Sequence, residues 1–285
     1  MSFQAFAWLA TILYGFDTLT AKFISKYSIP NPWHFNFIWN FFIVIFSIPI
    51  ALYNGAGMPT EWINVFFAAV FYALGNIFFI LTLYRLDVSV ITPFNSIRTA
   101  FGALLGALFL QEILSGFQYG LIAVIFVSGF FVSLDEKLSA KSFFNKNIVL
   151  AFLLMLFLAL EGMFVKKAAA DIGYWSTILW IGVISITLLL FTIPLFKKDL
   201  VIISTKQYGL TFFMSMLELL ATLAAYKAYA GNASISGAII SVPVSMILVF
   251  IVSFFAPTLF EKHTLKIYAV RFIAAAVMII AALKL

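Results

Sequence analysis

Four ionisable residues that lie well inside apolar runs are the candidates for chemistry in this sequence. Arg98 lies near the middle of the run 89–114, and Asp17, Glu161 and Glu218 lie within three other runs. Charged side chains inside a membrane face the protein interior or a water-filled cavity. A guanidinium binds a carboxylate through two parallel hydrogen bonds. The pattern predicts a site for a zwitterion, with Arg98 on its carboxylate and Glu218 or Glu161 on its ammonium group.

The same charges have two other interpretations. Arg98 could form an ion pair with one of the three carboxylates and so hold two parts of the protein together. Three acids against one base also leave a carboxylate that could carry a coupling proton, although a protein for facilitated diffusion needs no such group. Both alternatives stay open at the level of sequence.

Amide and aromatic side chains extend the predicted site. Asn76 and Asn95 either face a cavity or bond neighbouring helices, and the sequence leaves both interpretations open. Asn36 and Asn40 share one helix face and are predicted to bond neighbouring helices. Candidates for aromatic cavity walls are Tyr14, Trp39, Tyr72, Phe78, Phe94, Trp180 and Tyr226. The predicted substrate-binding residues are Asp17, Tyr72, Asn76, Phe94, Asn95, Arg98, Glu161, Trp180, Glu218 and Tyr226.

The elements that position these residues are predicted to be membrane-spanning helices. Hydrophobic residues make up 64% of the 285 residues, charged residues make up 10%, and the mean hydropathy is +1.12. Continuous apolar runs of roughly 20 residues favour spanning helices over the alternating strands of a barrel. The sequence predicts an all-α integral membrane protein with ten spans, at 3–25, 33–53, 62–84, 89–110, 116–134, 147–169, 175–196, 207–228, 234–256 and 265–284.

A polar segment near the midpoint divides the chain into two units of five spans. Tyr84 aligns with Tyr229 and Ser89 with Ser234, a shift of 145 positions in each case. Because five is odd, the second unit must enter the membrane in the opposite orientation, and such repeats place the solute site between them near the midplane. The predicted divisions are a first repeat at 1–134, a linker at 135–146 and a second, inverted repeat at 147–285.

Positive charges indicate an orientation for these spans. Most lysine and arginine residues near span ends fall in odd-numbered connections, for example Lys26, Arg85 and Lys197. Cytoplasmic loops carry the excess of such residues, so this distribution predicts both termini outside. The first span has no basic segment before it and no cleavage pattern after it, which predicts a retained helix and not a signal peptide.

Several classes of chemistry have no support in the sequence. There are no cysteines, and His34 and His263 have no metal-ligating partners at usable spacing. Neither a Walker sequence nor a G-x-S-x-G elbow is present. The net charge of +6 reflects lysines at span ends, which contact lipid headgroups, so it does not indicate nucleic-acid binding. We predict no enzyme activity, no cofactor and no metal ion.

Turn and small-residue motifs in two spans resemble a known family. The fourth span opens with LDVSVITPFNSIR and ends with LFLQE at Glu112, and the ninth opens with GNASISGAIISVP. With ten short spans in two halves, these motifs resemble the EamA-like branch of the drug/metabolite transporter superfamily. The resemblance implies cytoplasmic termini and a cavity lined by spans three, four, eight and nine, helped by one and six. Glu112 and Glu261 look like the acidic residue that follows the fourth and ninth spans in such proteins.

The predicted function is secondary transport of a small polar metabolite, an amino acid or related zwitterion, by alternating access between the inverted repeats. Arg98 stands where the second half has Pro243 and where a proline is expected, which points to a solute-specific site. Because aromatic walls beside carboxylates bind ammonium groups, organic cations and quaternary amines are the alternative solutes. A membrane scaffold or enzyme is the alternative outside transport.

The predicted partners are the small-molecule solute, the lipid bilayer and a proton as coupling ion. The chain is predicted to lie in a cell membrane, of the prokaryotic inner-membrane type. Gly102 and Gly106 have the spacing that allows two helices to approach closely. This spacing predicts packing within a monomer or, as the alternative, a weak dimer.

Overall fold

Helices account for almost all of the chain that the structure describes. The structure is a computed structural model that describes residues 2–85, 88–132, 146–199, 205–255 and 265–285, and these ranges contain no β-strand. The predicted all-α class is confirmed. A 3₁₀ turn, Leu190–Leu195, extends α7. In chain order the α-helices are α1 (Phe3–Tyr27), α2 (Pro32–Tyr53), α3 (Ile63–Arg85), α4 (Val88–Phe109), α5 (Gly116–Val132), α6 (Lys146–Ile172), α7 (Tyr174–Leu189), α8 (Thr205–Gly231), α9 (Ala233–Ile240), α10 (Val244–Phe255) and α11 (Leu265–Leu283).

Length and apolar composition qualify six segments of the described chain as membrane spans. Shorter apolar segments lie in α5 and α11. The chain is therefore an all-helical, multi-pass membrane protein, while the count of ten spans and their inverted arrangement stay predictions. The six segments are Pro32–Tyr53, Ile63–Arg85, Val149–Ile172, Tyr174–Leu195, Gln207–Gly231 and Ala233–Ser253.

Short polar residues fix where several helices begin. The side chains of Ser2, Asn31 and Asn232 each accept a hydrogen bond from a backbone N–H in the first turn of the helix that follows. Such caps satisfy donors that have no partner within the helix. Pro32 follows Asn31 at the first helical position, where its missing N–H costs nothing. Gly173, with a φ of 79°, makes the tight turn between α6 and α7.

The ninth span, predicted as one continuous helix, consists of two helices. α9 ends at Ile240 and α10 begins at Val244. The break lies at Pro243 because a proline cannot donate a backbone hydrogen bond within a helix. The aligned position in the first half is Arg98, and α4 runs through it without interruption. The hydroxyl groups of Thr99 on α4 and Ser241 in the break lie 2.6 Å apart, so the continuous and the broken helix meet at this point.

Helices from the two halves of the chain pack against each other throughout the bundle. α3 packs along α6 and α1 along α8, and these are the two most extensive helix pairs in the described chain. α2 also contacts α7, α5 contacts α11, and α4 contacts α9. Every residue of α9 is buried. A helix that is buried on all sides lies in the interior of a bundle, and the other helices therefore pack around α9.

Candidate solute-binding site

A polar cavity lies between the two halves of the chain. Its volume is about 120 Å³, room for several water molecules or one small organic solute. Helices from both halves contribute to its walls. We call it the central cavity, and it is lined by Tyr14, Asp17, Thr18, Trp39, Tyr72, Asn76, Phe79, Asn95, Arg98, Leu154, Met155, Leu158, Glu161, Glu218, Ile240 and Ser245.

Most of the predicted site residues meet in the central cavity. Tyr226 lies behind its wall and donates a hydrogen bond to Glu161 Oε1 at 2.9 Å. Trp180 lies elsewhere, since its Nε1 donates to the Gly57 carbonyl at 2.8 Å and its ring contacts Trp62. The side chain of Phe94 lies outside the described residues. The predicted residues that line the cavity are Asp17, Tyr72, Asn76, Asn95, Arg98, Glu161 and Glu218.

Arg98 lies in the central cavity without an acidic partner. Its side chain is 9% exposed, and it donates a hydrogen bond to the Tyr229 hydroxyl. The guanidinium carbon lies 5.8 Å from the centroid of the Tyr229 ring, in a cation–π arrangement. Within the described part of the chain, no acidic side chain forms a salt bridge with Arg98. In this conformation Arg98 therefore interacts with the carboxyl groups of Glu161 and Glu218 through its charge and not through a direct salt bridge.

Three carboxyl groups share the cavity with Arg98. Asp17 on α1 and Glu218 on α8 are direct neighbours. The Thr222 hydroxyl donates to Glu218 Oε1 at 3.2 Å. Asp17 Oδ1 is buried without a hydrogen-bond partner. Two neighbouring carboxylates repel each other unless a proton or another cation lies between them, so this pair is suited to bind one positive charge.

A chain of amides joins α2 to α3 beside the cavity. Asn40 Nδ2 donates to the Asn36 carbonyl oxygen at 2.8 Å, and Asn76 Nδ2 donates to Asn40 Oδ1 at 2.7 Å. All three side chains are buried. The predicted interhelical role is confirmed for Asn40, whereas the bonds of Asn36 among the described residues lie within α2. The same chain of bonds orients Asn76 at the cavity wall, so Asn76 serves both predicted purposes at once.

Tyr229 was not among the predicted site residues, although its hydroxyl accepts a hydrogen bond from Arg98. A signal was present, because Glu218, Thr222, Tyr226 and Tyr229 are spaced four, four and three residues apart, and such residues share one helix face. Arg271 on α11 was also overlooked. It is 2% exposed and does not line the central cavity.

Glu112, which the resemblance singled out, lies outside the cavity in the connection between α4 and α5. One oxygen accepts hydrogen bonds from Lys166 Nζ at 2.5 Å and from the Ala233 backbone N–H at 2.7 Å. The other accepts from the Ser234 backbone N–H at 3.0 Å and from its hydroxyl at 2.5 Å. We call this arrangement the Glu112 clasp. Burial raises the pKa of the Glu112 carboxyl, but its hydrogen bonds outweigh burial, so the pKa lies below its ordinary value.

The fold and the cavity together define a class of protein, a multi-pass membrane protein with a charged solute cavity enclosed by its helices. Residues 2–134 match the EamA-like transporter family. This match confirms, for residues 2–134, the resemblance to the drug/metabolite transporter superfamily described above.

Two further comparisons bear on the chain. No curated protein matches the sequence. One solved crystal structure, described only as that of a protein, is similar over 96% of this chain and 98% of its own, with 12% identity and a TM-score of 0.54. At that identity the similarity shows a shared fold and nothing about the solute.

Proposed function

We propose that this protein is a secondary transporter with ten spans in two inverted five-helix repeats. It moves a small zwitterion, such as an amino acid, by alternating access through the central cavity. The match of residues 2–134 to a transporter family supports the general function. The solute class rests on the cavity, and the cell membrane is the proposed location.

The pattern of helix pairs supports the inverted repeat. If the halves are related by a two-fold axis, α1 corresponds to α6 and α3 to α8. The pair α3–α6 then exchanges with the pair α1–α8, and both are extensive. α2–α7 and α5–α11 would each lie across the axis, and both pairs are in contact. Inverted repeats place a solute site at their interface near the midplane, and the central cavity lies between helices of both halves.

The observation that carries the zwitterion proposal is that the Arg98 guanidinium has no salt bridge to a carboxylate within the described residues. A buried charge is costly unless it is paired. Three carboxyl groups line the same cavity, and yet the hydrogen bond that Arg98 donates within the described chain is to a neutral hydroxyl. A solute carboxylate would supply the missing negative charge through a bidentate contact. The neighbouring carboxyl groups of Asp17 and Glu218 would receive the solute ammonium group.

A proton is the proposed coupling ion because the Asp17–Glu218 pair accommodates one positive charge at a time. The pair can hold either a proton or the solute ammonium group, and binding of one would displace the other. Protons would then move opposite to the solute. A solute flux that is unchanged by an imposed pH gradient would contradict this coupling.

Organic cations are the second candidate solutes, and the composition of the cavity favours them in one respect. Its carboxyl groups outnumber its single guanidinium, and the rings of Tyr14, Trp39 and Tyr72 lie in its wall. Aromatic faces bind quaternary ammonium groups by cation–π attraction. A solute of this kind without a carboxylate has no group for a guanidinium to bind. Under this alternative Arg98 would not contact the solute.

A thermal-shift screen of the purified protein in detergent separates the two solute classes. A solute that binds only the folded state raises the Tm by mass action. We expect stabilisation by one or more amino acids, and loss of that stabilisation in Arg98→Ala. Arg85→Ala is the matched control, because Arg85 is exposed at the end of α3. Stabilisation by choline-like cations alone, retained in Arg98→Ala, would overturn the zwitterion proposal.

A further inference from the structure

A second, much smaller chamber lies beyond Arg98 and Tyr229. Its volume is about 10 Å³, close to the space that one water molecule needs. Arg98 borders both the central cavity and this chamber, and the Tyr229 ring lies beside its guanidinium. The walls come from α4, α6, α8 and α9 and consist largely of small residues, which include Gly102, Gly106, Ala159, Gly162, Ala233 and Gly237.

The Glu112 clasp lies at the end of this small chamber. Gly106 and Ala233 line the chamber, and Ala233 donates its N–H to Glu112. A Cβ at Gly106 would lie 2.7 Å from Glu112 Oε2 and would collide with Ser234. Only glycine at position 106 therefore allows α4 to approach the start of α9 so closely. The chamber is narrow because the clasp draws these helices together.

The local backbone is shaped to present Glu112 to the clasp. Gln111 has a φ of 53°, the left-handed conformation that ends many helices. The Glu112 N–H donates to the Gly106 carbonyl at 3.1 Å, which folds the chain back over the last turn of α4. The carboxylate then faces the N-terminus of α9, where the helix dipole and free N–H groups favour an anion.

We propose that the small chamber continues the transport path from the central cavity, and that the Glu112 clasp is the gate that closes it. The Arg98–Tyr229 contact separates the two spaces in this conformation. This inference rests on the proposed function. Opening requires Glu112, in the first half, to release Lys166 and the start of α9, both in the second half. The two halves then separate at one end of the bundle, as alternating access requires.

The break beside Pro243 gives α9 the means to move. α9 contains only eight residues, and the segment 241–243 separates it from α10. Hinges are a few residues at the ends of elements that absorb the change in backbone angles. Release of the clasp at one end of α9, with rotation about 241–243 at the other, would widen the small chamber without disturbing α10.

Cysteine accessibility tests this gate directly, because the chain contains no cysteine. Gly237 is buried, yet a Cβ built there meets nothing within 4 Å, so Gly237→Cys places a single thiol in the small chamber. The purified variant is treated in detergent with a charged, thiol-specific methanethiosulfonate reagent. We expect slow labelling of Gly237→Cys alone and labelling at least about tenfold faster when it is combined with Glu112→Gln.

Control variants remove ambiguity from this experiment. Glu61→Gln, which neutralises an exposed glutamate, should leave the labelling rate of Gly237→Cys unchanged. Gly57→Cys, on an exposed loop, should label fast with and without Glu112→Gln. If Glu112→Gln fails to fold, Ser234→Ala replaces it, since it removes the 2.5 Å hydroxyl contact to Glu112, together with the 3.2 Å contact of that hydroxyl to the Gly102 carbonyl, and leaves the other donors of the clasp in place.

Equal labelling rates with and without an intact clasp would overturn the proposal, whether both rates are fast or both are slow. Gly102→Cys provides an independent thiol in the same chamber, because its Cβ also has open space. Labelling needs no solute, so its outcome does not depend on the solute class. If labelling does not depend on the clasp but solute binding depends on Arg98, only the gate proposal is rejected. If labelling depends on the clasp but solute binding does not depend on Arg98, only the solute-site proposal is rejected.

Discussion

Arg98 in the central cavity and Glu112 in the clasp are buried to nearly the same degree, at 9% and 8% exposed. They differ in how many hydrogen bonds their charged groups form. Glu112 accepts four hydrogen bonds, one of them from a lysine. Arg98 donates one, to a neutral hydroxyl. A fully paired buried charge holds a structure together, whereas an underpaired one is costly until a partner arrives. The contrast supports the two proposals made above, a structural and gating role for the clasp and a solute-binding role for the cavity.

Removal of the Arg98 charge should produce the largest functional effect. We expect Arg98→Ala to lower zwitterion flux into proteoliposomes by about 100-fold, because loss of a desolvated charge pair costs roughly 2–5 kcal/mol. The Tm without solute should change little, since no salt bridge is lost. The flux of Arg85→Ala provides the reference. If Arg98→Ala keeps half of the parent flux, the contrast between cavity and clasp fails.

Breaking the clasp should produce the opposite profile, with a large effect on stability. Lys166→Met removes the cation and leaves the Glu112 carboxylate with backbone and hydroxyl donors only. Removal of one partner of a buried pair costs about 3–5 kcal/mol, and we expect about 2 kcal/mol because Lys166 is 23% exposed. Denaturation in detergent measures the loss. Lys167→Gln is the matched control, since Lys167 is outside the clasp, and an equal loss in both variants would contradict this assignment.

The clasp should also make stability depend on pH in the acidic range. The folded-state pKa of Glu112 lies below its ordinary value of 4.5. Its stabilising contribution is therefore complete above pH 4.5 and is lost as the pH falls through the lowered folded-state pKa. Acidification from about pH 6 to about pH 3.5 should lower the Tm of the parent more than that of Glu112→Gln. Parallel Tm curves for the two proteins would show that Glu112 is not the responsible group.

The amide chain beside the cavity should behave as structure and not as part of the solute site. Asn36→Ala removes the side-chain oxygen that accepts a 3.2 Å hydrogen bond from Asn40 within α2, and a hydrogen bond of this kind contributes about 1 kcal/mol. We expect a stability loss of about that size with little change in solute affinity. Isothermal titration and thermal melting on the same preparation give both numbers. A loss of affinity at unchanged stability would move Asn36 into the site.

Trp180 should show the smallest effect, because the structure places it outside the cavity. Trp180→Phe keeps a ring against Trp62 and loses the hydrogen bond to the Gly57 carbonyl. The expected stability loss is about 0.5–1 kcal/mol, with solute affinity unchanged within about twofold. A larger loss of affinity would indicate that the binding conformation differs from this one.

The membrane-spanning helices were accessible from the sequence because their signal is local. A run of about 20 apolar residues specifies a spanning helix without reference to the rest of the chain. Intramembrane charges are rare, so Asp17, Arg98, Glu161 and Glu218 stood out for the same reason, and all four line the central cavity. The motif of the fourth span was also sufficient to indicate the family that residues 2–134 match.

Contacts between distant helices were not accessible in the same way. The partner of Arg98 depends on how α4 and α8 are rotated about their axes, so Tyr229 and the absence of an ion pair emerged only from the packing. Trp180 was misplaced because helical spacing fixes a residue's position along a helix but not which neighbour its face meets.

The sequence by itself determined an all-helical membrane protein whose first half matches the EamA-like transporter family and which carries ionisable residues inside its apolar runs, since composition and short motifs act over a few turns of one helix. The tertiary structure decided which charges are paired. Glu112 and α9 are more than 100 residues apart in the chain, and their contact depends on how the two halves pack. That packing leaves Arg98 underpaired in the cavity and Glu112 fully bonded in the clasp, which is the distinction that assigns their roles.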